Sequence, residues 1–239
     1  MAERYKLASG IIIHRNSLPN GDLLISLFNQ TGKLRAIAKK GKKLGGNISR
    51  MSLFNDITVQ YYQKDADSLA VLTQVQLNGS LEKLTLPEIY PYAHILAEMV
   101  DKLSQNDLSE PKMYSYLASG LKGLSEFADA EKITIIYAWK IIQQAGLAPR
   151  LERCSICNNN ELSNKFNLHT GGITCTSCNS GVYISNEVLE YLQMIHKTTI
   201  RAMLEHKLLN SKEHWKLLKN YSNYHINEIK SLASLETMI

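Results

Sequence analysis

Cysteine is scarce in this chain, and what there is lies together. Of 239 residues only four are cysteine, all between Cys154 and Cys178. No apolar run approaches the ~18–20 residues of a helical membrane span. The N-terminus, "MAERYKLASGIIIH", has no signal-peptide layout. The expectation is a soluble, cytoplasmic protein with no membrane partner. In a reducing compartment, paired Cys-x-x-Cys reads as metal binding or redox chemistry rather than disulfides.

Motifs for nucleotide chemistry are missing as well. Gly41-Lys42-Lys43 and Gly45-Gly46-Asn47 do not complete a phosphate-binding G-x-x-x-x-G-K-[ST] loop, and no G-x-G-x-x-G occurs. No pair of acids forms a recognisable metal-nuclease arrangement. Base deamination needs His-x-Glu upstream of a Cys pair, and none is present. The histidines are scattered and read as surface or helix-packing residues. ATP hydrolysis and strand cleavage therefore lack visible machinery, and no catalytic residue is assigned.

Charge is plentiful but uneven. Residues 1–50 hold ten Lys/Arg against two acids, a balance of +8, while the remainder holds 17 basic and 20 acidic residues, a balance of −3. A basic N-terminal unit on a near-neutral body suits a polyanion partner. The same unit has β texture. "KLASGIIIHR", "LLISLFN", "LRAIA", "SLFNDITVQYYQ" and "LAVLTQVQLN" read as five short strands, with Asn20-Gly21 as a hairpin signal between the first two. Five strands with tight turns and basic character suit a small closed barrel of OB-fold type. After Pro87 the apolar spacing becomes helical in "YAHILAEMVDKLSQ", "PKMYSYLASGLKGLSEF" and "AEKITIIYAWKIIQQAG". Two more helical stretches follow, "NEVLEYLQMIHKTTIRAMLE" and "SKEHWKLLKNYSNYHINEIKSLASL". The expected fold class is α+β and multidomain. A five-stranded OB-fold β-barrel over 1–82 precedes an α-helical domain over 83–239, with a four-cysteine zinc-finger segment inserted at about 150–184.

The cysteines follow C-x2-C-x17-C-x2-C: Cys154, Cys157, Cys175 and Cys178. Four thiolates from two tight turns close a tetrahedral zinc shell and leave no open position for a catalytic water. One structural Zn²⁺ per chain is expected. His169 lies in the intervening loop but is not needed as a ligand. Phe166 reads as an exposed aromatic there. Neither pair has the βαβ context of a thiol-redox motif. The segment reads as a clasp for a polar stretch that would not fold alone.

The stronger functional signal is "GKLRAIAKKGKKLGGNISR". Strand alternation puts Lys33, Arg35 and Ile37 on one face and Leu34, Ala36 and Ala38 on the other. Lys39, Lys40, Lys42 and Lys43 carry the charge into a glycine-rich loop. Such a patch binds phosphate backbones with salt sensitivity and little sequence preference. Phe28, Phe54, Tyr61 and Tyr62 are candidates for base stacking, most of them expected in the core.

Together, "GDLLISLFNQTGKLRAIAKKGKK", the helical body starting near "YPYAHILAEMVDKL" and the inserted cysteine pairs resemble the RecO family of bacterial recombination mediators. The resemblance spans nearly the whole chain. It implies binding of single- and double-stranded DNA, annealing of complementary strands, and DNA repair by homologous recombination. The implied partners are RecR, the C-terminal tail of single-strand-binding protein (SSB) and, indirectly, RecA. The implied location is the cytoplasm, at the nucleoid. DNA contacts carry over to Arg35 and Lys39, with Lys33, Lys40, Lys42 and Lys43 beside them. A second patch falls on Lys197 and Arg201 in "HKTTIRA", where Thr198 and Thr199 replace basic residues. For the SSB tail, the resemblance implies an apolar groove on the helical body with a cation at its rim. Two other readings stay open at this point: a zinc-dependent nucleic-acid enzyme, and an RNA- or ribosome-associated zinc-ribbon factor.

Overall fold

A computed structural model describes residues 5–39, 47–65, 68–105, 108–127 and 129–235. The fold is α+β: a closed five-stranded OB-fold barrel, then helices, with the four cysteines gathered in a small inserted sheet.

The barrel strands are β1 (Lys6–Ser17), β2 (Leu23–Asn29), β3 (Gly32–Ala38), β4 (Asp56–Tyr62) and β5 (Ala70–Gly79), closed in the order β1-β2-β3-β5-β4. A short helix α1 (Asn47–Arg50) precedes β4. The turn at Asn20-Gly21 joins β1 to β2, with Gly21 at φ 85. β1 serves two neighbours: Lys6–Ile11 pair with β4, and Ile11–Ser17 pair with β2. Gly10 sits at the change of partner, where a Cβ would lie 2.7 Å from the Phe28 carbonyl oxygen. Inward side chains of every strand form a core of Ile12, Leu23, Ile25, Leu27, Ala36, Ala38, Ile57, Val59 and Ala70, and Met51 is buried in the same cluster. Two-residue alternation produces this core. In β3 Ala36 and Ala38 are buried and Arg35 is exposed.

A 3₁₀ turn (Glu82–Thr85) leads to α2 (Tyr90–Leu103) and α3 (Pro111–Glu126). Both begin with proline at the first turn, where a missing N–H costs nothing. They cover part of the barrel's outside. Phe28 points out of the barrel yet is fully buried, its ring 6.3 Å from that of Tyr114. The change of element type falls near the expected 82/83 division, whereas compactness divides the chain into Met1–Phe127 and Ala128–Ile239. The first unit thus contains the barrel with α2 and α3.

The second unit is built around α4 (Ala130–Gln144), apolar on every side, with Ile133, Ile135, Trp139 and Ile142 all buried. A three-stranded sheet follows, ordered β7-β6-β8: β6 (Leu162–Asn167), β7 (Gly172–Cys175) and β8 (Val182–Tyr183). Then come α5 (Asn186–Lys197), α6 (Ile200–Glu205), α7 (Ser211–His225) and α8 (Lys230–Leu235). Each of the two last helical stretches of the sequence is split. Thr199 takes extended geometry and caps α6 by accepting from the Ala202 N–H, which ends α5. Asn227, at φ 104, separates α7 from α8.

Candidate metal centre and nucleic-acid interface

The two cysteine turns are built alike. Cys154-Ser155-Ile156-Cys157 and Cys175-Thr176-Ser177-Cys178 are each followed by asparagine. Asn158 and Asn179 take left-handed backbone, φ 66 and 42, which asparagine tolerates better than most residues. Each donates its N–H to the carbonyl of the first cysteine, at 2.9 Å in both. The tight turn aims both thiols of a pair to one side. Gly181, at φ 116, lets β8 close over β6, since a Cβ there would lie 2.3 Å from the Phe166 carbonyl oxygen.

All four sulfurs lie within 4.8 Å of one another, and Cys157 Sγ is 3.5 Å from Cys175 Sγ. A tetrahedral Zn–S shell of about 2.3 Å bonds has sulfurs about 3.8 Å apart. The thiols are also electrostatically divided. At Cys154 burial works upward, but the N–H groups of Cys157, Ile156 and Cys175 outweigh it and bring the thiol down to about 6. The Cys157 and Cys175 side chains push Cys178 up to about 12. Four crowded thiols that cannot all ionise alone are what a soft dication relieves. The donor set fits such an ion. His169 is not among the grouped donors; its ring stands 5.6 Å from Tyr224. Phe166, expected to be exposed, is fully buried against Tyr221 at 5.9 Å. It faces inward from β6, so the loop offers no stacking ring at that position.

On the barrel, Arg35 and Lys39 are exposed, and no ion-pair partner for either occurs among the described residues. Lys33 is only 11% exposed, and its ammonium donates to the Asp101 carbonyl at 2.6 Å and lies 3.3 Å from the Asp101 carboxylate. That cation anchors α2 to the barrel. Lys40, Lys42 and Lys43 lie outside the described residues. In the second unit, Arg201 is exposed at the start of α6, and Lys197 sits 3.1 Å from the Glu152 carboxylate. Of the aromatic candidates, Phe28 and Phe54 are buried and Tyr61 packs on the core.

A groove of about 350 Å³ opens between α7 and α8, lined by Trp215, Leu232 and Leu235 with Lys212, Lys216 and Lys219 along it. The lysine spacing of four and three puts all three cations on one helix face.

Two family models match: Recombination protein O N terminal over residues 1–81, and Recombination protein O C terminal over 87–233. The chain belongs to the RecO family. DNA repair protein RecO of Oceanobacillus iheyensis is 26% identical over 96% of this chain and 93% of its own length. The Bacillus subtilis protein of the same name is 26% identical over 71% of this chain and 67% of its own. That of Halalkalibacterium halodurans is 21% identical over 97% and 95%. A solved aspartyl tRNA synthetase from Entamoeba histolytica aligns at 8% identity over 94% of this chain and 56% of its own, with a TM-score of 0.27, too weak to indicate a shared fold.

Several cations of this RecO-family chain have roles its sequence conceals. Lys140 is buried and its ammonium donates to the Thr198 carbonyl at 3.0 Å; Lys132 reaches the Leu204 carbonyl at 3.1 Å. Both leave α4 to cap the chain around α5 and α6. The only sequence signal for Lys140 was its place inside an otherwise apolar helix. The repeated Cys-x-x-Cys-Asn is the sequence signal of the two matching turns.

Proposed function

We propose that this protein is a non-enzymatic recombination mediator. It holds single- and double-stranded DNA on its barrel, anneals complementary strands, and helps load the recombinase on SSB-coated DNA. The observation that carries this reading is the exposed pair Arg35 and Lys39, on a barrel whose N-terminal segment is strongly basic. Lys40, Lys42 and Lys43 follow directly in sequence and add to this charge, and Arg201 offers a second surface, with Lys197 near it in sequence but paired with Glu152. Two strands repel through their phosphates. A cationic surface that holds both lowers that repulsion and raises local concentration, and base pairing supplies the free energy. No nucleotide is consumed. The cysteine centre holds one structural Zn²⁺ through Cys154, Cys157, Cys175 and Cys178, and when bound it closes the fold of its segment.

RecR and the SSB tail are the proposed partners, with RecA as the beneficiary and the nucleoid as the place. The groove between α7 and α8 supports the SSB assignment, because apolar walls beside Lys212 and Lys216 suit an acidic tail that ends in apolar residues. The deciding experiment is annealing of complementary SSB-coated strands with and without the protein at two salt concentrations. Faster annealing that fades at high salt is expected; no acceleration at either salt overturns the reading. Preference for RNA over DNA of equal length would favour the RNA-associated alternative, and a product lost on zinc removal with the fold intact would favour the enzyme.

A further inference from the structure

The helices leave part of the barrel's outside bare, and that part is not simply basic. Strand register sets Leu24, Ile37, Val71 and Tyr62 side by side across β2, β3, β5 and β4. Their neighbours Leu23, Ile25, Ala36, Ala38 and Ala70 are buried in the barrel core, so alternation turns this row outward. Tyr5 extends it: it is 52% exposed, and its ring lies edge-on to Tyr62 at 6.4 Å and 61°. None of the five is buried. Arg35 and Lys39, both exposed, stand two residues to either side of Ile37. An apolar and aromatic strip therefore runs between two cations.

Cations alone suffice to hold a duplex, whose bases are stacked inside. An unpaired strand also presents base faces, and aromatic side chains beside a cationic track take them without regard to sequence. We propose that the row Leu24, Ile37, Val71, Tyr62 and Tyr5 is a platform for unpaired bases of single-stranded DNA. Such a platform favours single strands over duplexes, while Arg35 and Lys39 serve both alike. This inference rests on the DNA-binding reading above and deepens it. The competing role for the tyrosines is to cover the strand ends of the barrel, a role that would not distinguish one DNA form from another.

The test uses the full-length protein and three labelled ligands of equal length, read by anisotropy: an oligothymidylate, an abasic strand and a duplex. In the double variant Tyr5→Ala/Tyr62→Ala, affinity for oligothymidylate is expected to fall about tenfold, or ~1.4 kcal/mol, as for the loss of one stacked base. Affinity for the duplex and the abasic strand stays within about twofold. Tyr62→Phe keeps oligothymidylate binding, because the ring stacks without its hydroxyl. Arg35→Glu lowers all three. Equal losses on all ligands in the double variant, or wild-type affinity for oligothymidylate, overturn the platform. A wild-type protein that binds none of the three overturns the DNA-binding reading itself. Photocrosslinking of the unsubstituted protein to 5-bromodeoxyuridine strands decides the matter without any variant. Crosslinks in peptides carrying Tyr5 or Tyr62 support the platform, and crosslinks confined elsewhere sink it.

Discussion

The barrel and the cysteine segment hold their shapes by different means. The barrel core gathers Ile12, Leu23, Ile25, Leu27, Ile57, Val59 and their neighbours in one apolar cluster. Between residues 150 and 184 the buried apolar side chains are Leu151, Phe166, Ile173 and Ile184, beside Cys154 and Cys175. So few apolar residues offset little of the ordering of a 35-residue segment at ~1–2 kcal/mol each for the backbone, and the four gathered sulfurs, which could hold a metal ion, are the feature this segment has in place of a larger core. The barrel's core lies inside its strands, which leaves the part of its outside that α2 and α3 do not cover available for ligands. The cysteine segment's donors are all committed to its own fold.

Breaking the sulfur set should therefore have the largest effect and leave the barrel least touched. Cys154→Ser/Cys175→Ser, or metal stripping, is expected to melt the second unit, because structural zinc contributes on the order of 10 kcal/mol to such folds. Limited proteolysis should cut within 128–239 while 1–127 survives. DNA affinity of the remaining folded protein should change less than about threefold, well inside a tenfold step of ~1.4 kcal/mol. The reverse order, affinity lost with the fold intact, would return the cysteines to the binding surface.

The same contrast extends to pH. His214 on α7 is wholly buried, neither ring nitrogen has a hydrogen-bond partner among the described residues, and its ring stands edge-on to Tyr191 at 5.1 Å. Burial lowers its pKa to about 4, with Glu213 pulling weakly the other way. Above pH 6.5 the ring is neutral folded or unfolded, and stability is complete. As pH falls from 6.5 to 4 the unfolded chain takes up a proton that the folded one refuses. About 3 kcal/mol should be lost across that window. Urea melts of wild type and His214→Phe between pH 4 and 7 check this: the variant should lack that part of the slope. Equal slopes would mean that the ring is solvated.

How much of this could be read in the sequence follows from what each signal depends on. Strand alternation, the Asn20-Gly21 turn and the Cys-x-x-Cys spacing are local, and they carried the barrel, its order of elements and the four donors. What escaped depends on partners far along the chain. Lys33 looked like its neighbour Arg35, two positions away on the same face, yet Asp101, 68 residues later, takes its ammonium. Phe166 looked exposed in a polar loop, yet Tyr221 covers it. The breaks at Thr199 and Asn227 were hidden because apolar periodicity runs straight through both.

That contrast between Lys33 and Arg35 makes a sharper test of the barrel. Reversing Arg35 and Lys39 to Glu should weaken DNA binding about a hundredfold, or ~2.7 kcal/mol, with the melting temperature unchanged. The slope of log affinity against log salt should flatten by about two for duplex DNA. Lys33→Gln should do the opposite: it should lower stability, since it takes the donor from the Asp101 carbonyl and leaves the Asp101 carboxylate with the His14 ring at 3.7 Å, and cost DNA affinity little. If Lys33→Gln weakens DNA binding as much as Arg35→Glu does, the ammonium leaves Asp101 when DNA is present.

The smallest effect is expected at Lys197. Its ammonium and the Glu152 carboxylate lie 3.1 Å apart, but both side chains are largely in water, at 58% and 71% exposure. Exposed pairs contribute ~0–1 kcal/mol to stability. Glu152 also cancels most of the field that Lys197 would offer a phosphate, whereas Arg201 has no such partner among the described residues. Lys197→Gln should therefore leave the melting temperature and the DNA affinity within error. Arg201→Gln should cost about one unit of salt slope, the share of a single phosphate contact. A larger loss at Lys197 than at Arg201 would show that DNA displaces Glu152, and would make the second unit a DNA surface comparable with the barrel.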